Sequence, residues 1–61
     1  MTRREAELIQ SFMMMGVRQL ALIASCDTVE WGVRYQAIVT ADHCLEVAEQ
    51  AAAYVRETQE A

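Results

Sequence analysis

Proline is absent from this 61-residue chain, as are lysine and asparagine, and glycine occurs only at Gly16 and Gly32. Tight hairpin turns draw on proline and glycine, so a small β fold with many turns is excluded. Long apolar runs are missing too: none exceeds the six residues of 12–17, and 20–24 is shorter. A membrane-spanning helix needs about 18 to 20 such residues, so none is expected. Basic residues are confined to Arg3, Arg4, Arg18, Arg34 and Arg56 in a chain of net charge −4. Nucleic-acid binding rests on clustered Lys and Arg that neutralise phosphates, and that footprint is not here. There is no glycine-rich phosphate loop, and no histidine is spaced to activate a serine or cysteine. The expectation is a protein without catalytic activity and without a resident cofactor.

What is abundant is apolar side chain, at 54% of residues, too much for a disordered chain. A chain this short buries only about 60% of the surface its unfolded form exposes, and its core is thin. Small cores of this kind gain from disulfides, a metal or a second copy. Charge is uneven: residues 1–26 hold three arginines against Glu5 and Glu7, net +1, whereas 27–61 hold two arginines against seven acids, net −5. That acidic surface serves solubility first, and a basic partner second.

Two helix-start signals stand out. Thr2-Arg3-Arg4-Glu5 has the spacing of a capping box and predicts helix 1 over about 3–24. Asp27-Thr28-Val29-Glu30 repeats it, with Cys26 placed to staple onto Trp31, and predicts a joint at 25–28 and helix 2 over about 29–58. On helix 1, Ala6, Ile9, Met13, Gly16, Leu20 and Ile23 share one face at three-and-four spacing. On helix 2 the same spacing selects Trp31, Ile38, Ala41, Leu45, Ala48, Ala52 and Val55, with Arg34 among them near the joint. Residues 29–37 also alternate like a half-buried strand, but a lone strand has only its own copy to pair with, and the helical spacing runs on through it. A third helix, by a break near Gly32 or Thr40-Ala41-Asp42, is the closest variant.

Each helix carries a further apolar stripe: Leu8, Met15 and Leu22 with Phe12 on the first, Val33, Thr40, Val47 and Tyr54 on the second. At 1.5 Å per residue the helices span about 33 and 46 Å, so the longer is expected to overhang with 48–55 at its tip. An all-α helical hairpin of this kind cannot cover its own apolar surface, and a homodimer forming an antiparallel four-helix bundle is the economical remedy. The self-association set is Leu8, Met13, Gly16, Leu20, Ile38, Leu45, Ala48, Ala52 and Val55.

Three consecutive methionines, Met13, Met14 and Met15, necessarily face different surroundings. Methionine fills irregular gaps in cores and adapts to varied partner surfaces. Gly16 on the seam suggests a close helix approach. Phe12, Met14, Met15, Trp31 and Arg34 form the expected contact set for another macromolecule, with Arg34 either snorkelling outward or pairing with Glu30. Cys26 and Cys44 lie about 27 Å apart along one helix, beyond the roughly 7 Å a bridge allows, which predicts free thiols and a cytoplasmic setting. The segment IASC at 23–26 resembles a lipoprotein cleavage box, but Glu5, Glu7, Arg18 and Gln19 ahead of it contradict a signal peptide. His43 and Glu46 supply two ligands, and two ligands are not a metal site. The functional expectation is a protein-interaction module of the adaptor, anti-activator or inhibitor type, with a small-molecule- or metal-binding bundle as its rival.

Overall fold

The computed structural model describes residues 1–59. Two helices, α1 (Arg3–Ala24) and α2 (Trp31–Gln59), fold back on one another as an α-helical hairpin 48 Å long and 14 Å across. Residues 29 and 30 lie in the joint and 31–37 are helical, so the alternating pattern there is not a strand, and α2 runs without a break through Gly32 and Thr40-Ala41-Asp42.

The start of α1 is built as its sequence implies. The Glu5 amide donates to the Thr2 hydroxyl at 3.1 Å, and the Thr2 amide donates to the Glu5 carboxylate at 2.8 Å. The Thr2 amide foremost, and the Thr2 hydroxyl after it, hold the Glu5 carboxyl below its ordinary range, because hydrogen bonds to the carboxylate favour its charged form. The far end closes through the Ser25 amide on the Ala21 carbonyl and the Ser25 hydroxyl on the Leu22 carbonyl, both at 3.1 Å.

The joint departs from the expected capping box. The Val29 amide donates to the Cys26 carbonyl to close a turn, and the Glu30 carbonyl accepts from Val33 and Arg34, so α2 begins after Glu30. Asp27 caps nothing; its exposed carboxylate lies 3.8 Å from the Arg34 guanidinium. Arg34 therefore reaches across the joint and does not pair with Glu30 one turn back. Trp31, expected to sit beneath Cys26, opens the helix instead and is 68% exposed.

Between the helices lies a seam of small side chains. The buried residues are Ala6, Ala37, Ala48 and Ala51, each 5% exposed or less, and no large side chain among the described residues is fully buried. On α1, Ile9, Met13, Gly16, Val17 and Leu20 are half-buried along that seam. On α2 it runs Arg34, Ala37, Ala41, Cys44, Ala48, Ala51, Val55. Ile38, Leu45 and Ala52 are thus displaced by the residues just before them, a rotation of roughly 50° at 100° per residue. Both rows are apolar, so spacing does not distinguish them. Size does: the bulkier α1 residues fit over an alanine row, where the backbones approach closely.

The expected overhang is also absent. Gly16 faces Cys44 midway along the hairpin, Ala48 and Ala51 are covered by α1, and the Tyr54 hydroxyl bonds to the Met1 carbonyl. Because the joint takes six residues, 25–30, the extra length of α2 is shared between both ends. A methyl group on Gly16 would meet the Cys44 sulfur at 3.8 Å, an ordinary contact, so close approach does not require glycine there.

The seam makes a two-sided prediction. Gly16→Ala stabilises the fold by about 1 kcal/mol through helix propensity. Ala48→Leu overpacks the seam and destabilises by about 1 to 3 kcal/mol. Urea denaturation checks both; a neutral or stabilising Ala48→Leu would contradict the small-residue seam.

Candidate functional site

With alanine turned inward, the larger apolar side chains of α2 have only the outside to occupy, and the hairpin acquires two distinct faces. Sidedness follows from which residues meet across the seam. A shallow groove brings Leu20 and Ile23 of α1 beside Val33, Gln36 and Thr40 of α2. A second groove, of about 310 Å³, brings Ala21 and Ala24 beside Ile38, Ala41 and Asp42. Since residues seven apart share a column, the first face joins Leu8, Phe12, Met15 and Leu22 to Val33, Thr40, Val47 and Tyr54. The second face joins Met14 and Ala21 to Trp31, Ile38, Leu45 and Ala52, edged by Tyr35, Asp42 and Glu49.

The five residues expected to contact a partner are consequently divided. Phe12 and Met15, 60% and 58% exposed, lie mid-length on the first face. Met14, 39% exposed, points to the opposite side. Trp31 and Arg34 stand together at the joint end of the second face. The nine self-association residues are divided as well. Met13, Gly16, Leu20, Ala48 and Val55 line the chain's own seam, Leu8 lies on the first face, and Ile38, Leu45 and Ala52 lie on the second.

The joint end has the more specific chemistry. Trp31 and Tyr35 stack at 5.4 Å between ring centroids and 16° between planes. Together with Ala24, Arg34 and Ile38 they line a cleft of about 240 Å³. The Arg34 side chain is 28% exposed; its Nη1 reaches Asp27, while its buried Nε has no hydrogen-bond partner among the described residues. Buried polar groups are rarely left so. Trp31 and Tyr35 are one helical turn apart, which the sequence reveals; the Asp27 contact crosses the joint, and no local signal announces it.

Neither cysteine is paired. Cys26 sits in the joint with its sulfur 3.1 Å from the Thr28 hydroxyl. That hydroxyl first, then the Thr28 amide, lowers the Cys26 thiol from its ordinary value. Cys44 faces Gly16 across the seam. His43 and Glu46 are exposed, and among the described residues no three His, Cys, Asp or Glu side chains are grouped to hold a metal. No helix of the described residues is long and apolar enough to cross a membrane.

The thiols should therefore differ in reactivity. At neutral pH, Cys26 in a Cys44→Ser variant is modified by a disulfide reagent severalfold faster than Cys44 in a Cys26→Ser variant, with a rate midpoint below that of a free thiol. A Cys26 rate midpoint at that of a free thiol would contradict the role of Thr28.

Comparison of the chain with protein-family models, with curated proteins and with solved structures returns no match. The functional reading rests on the geometry of the two faces.

Proposed function

We propose that the chain is a non-enzymatic interaction module of the adaptor, anti-activator or inhibitor kind, which self-associates and docks on another macromolecule's surface. One observation carries this reading: the interior is alanine, while Phe12, Met15, Leu22, Trp31 and Ile38 are at least half exposed. Monomeric soluble proteins rarely present contiguous apolar faces of this kind unless something covers them.

The joint end is the docking site in this reading. Tryptophan, tyrosine and arginine dominate binding energy at protein interfaces, where truncating such a residue costs 2 kcal/mol or more. Trp31, Tyr35 and Arg34 present all three around one cleft, and the part-exposed Arg34 side chain offers guanidinium donors to a partner carbonyl or carboxylate. The aromatic stack fixes two large side chains in advance, which lowers the entropy lost on docking.

The test is affinity capture from native lysate with the wild type and with Trp31→Ser, Arg34→Ala and Glu46→Gln. One stoichiometric protein is retained by the wild type and Glu46→Gln, and reduced at least about tenfold by the other two. Equal capture by all four would remove the joint end from the interface, and a co-purifying metal or small molecule would favour a carrier.

A further inference from the structure

We infer that the first face, bearing Leu8, Phe12, Met15 and Leu22, is the seat of a second copy of this chain, packed about a two-fold axis into an antiparallel four-helix bundle. The inference rests on the self-association in the proposed function and assigns it to one side of the hairpin.

Area gives the first argument. The chain exposes 4657 Å². A compact monomer of 6.9 kDa exposes about 4000 Å² by the scaling of accessible surface with mass, which leaves an excess of roughly 650 Å². A standard stable interface removes about 800 Å² from each partner. One long face of a hairpin 48 Å by 14 Å is an area of that size. Covering it returns each protomer to the exposure expected of a globular protein.

Charge and position choose the face. Along α1 the stripe reads Glu5, Leu8, Phe12, Met15, Gln19, Leu22, its one charge the Glu5 carboxylate held by the Thr2 amide at the start of the helix, and the adjoining α2 column reads Val33, Thr40, Val47, Tyr54, with no charged residue. The second face is edged by Asp42 and Glu49, carboxylates that a two-fold axis would bring toward their own copies. Met15, midway along the first stripe, is next to Gly16, which faces Cys44 halfway along the hairpin. Two copies can therefore stack on this side over their full length without overhang. The arrangement leaves Trp31, Tyr35 and Arg34 free at the joint of each protomer.

The methionine run supplies a test on the unaltered protein. In a lone hairpin Met15 is 58% exposed and Met14 39% exposed, so peroxide would oxidise Met15 at least as fast. With the first face covered, the order reverses: Met14 is oxidised severalfold faster, while light scattering gives twice the chain mass of 6.9 kDa. The variant pair adds direction. Phe12→Glu with Met15→Glu loses the dimer, whether as folded or unfolded monomer, and Ile38→Glu with Leu45→Glu keeps it.

A dimer in which Met15 oxidises at least as fast as Met14, or which survives the first-face pair and falls to the second, overturns this assignment while leaving self-association in place. A folded wild-type monomer at tens of micromolar overturns both.

Discussion

Which side chains α2 leaves outside, and which of them adjoin the α1 stripe, depend on which row of α2 faces α1. Two apolar rows, one carrying Ala37, Cys44 and Ala51 and the other Ile38, Leu45 and Ala52, compete for the seam, and the smaller row occupies it. Small side chains allow the backbones to come close, and the half-buried Ile9, Met13, Val17 and Leu20 of α1 then fill the remaining space. With Ala37 inside, Ile38 is left half exposed. The exposure of Ile38 follows from the alanine interior, whereas the stripe of Leu8, Phe12, Met15 and Leu22 is exposed by the spacing of α1 itself.

The same choice limits how stable one hairpin is. Burial contributes about 25 cal/mol per Å² of apolar surface, and an alanine carries little of that surface. Ion pairs add little: Arg3–Glu7 at 3.3 Å is exposed, and pairs of that kind contribute under about 1 kcal/mol. Helix caps at Thr2 and Ser25 define the ends of α1 without supplying a core. A second copy would supply what the interior lacks, namely large side chains such as Phe12 and Leu22 removed from water. Function and stability would then draw on opposite sides of one object, the first face for assembly and the joint end for docking.

Much of the fold is legible in the residues alone. The missing proline and scarce glycine specify helices, and Thr2 with Glu5 specifies where α1 starts. The seam of α1 is readable from Ala6 to Leu20, because its opposite side holds Arg4, Glu7, Ser11 and Arg18, whereas Ile23, expected on it, is 39% exposed near the joint. On α2 the apolar arc is wider than one seam, and periodicity is blind to whether Ala37 or Ile38 faces inward. The joint was obscured for another reason: Asp27 has the spacing of a cap, but its carboxylate lies toward Arg34, a contact between residues on two sides of a turn. The division of Phe12 and Met15 from Trp31 and Arg34 depends on that same rotation, so no local pattern contains it.

The proposal that two hairpins fold as one cooperative unit is tested by the dependence of thermal melting on protein concentration. For a dimer of this length that dissociates as it unfolds, a hundredfold rise in concentration raises the midpoint by roughly 10 °C. A midpoint that stays fixed across that range, with a sharp transition and full helicity at the lowest concentration, would contradict it.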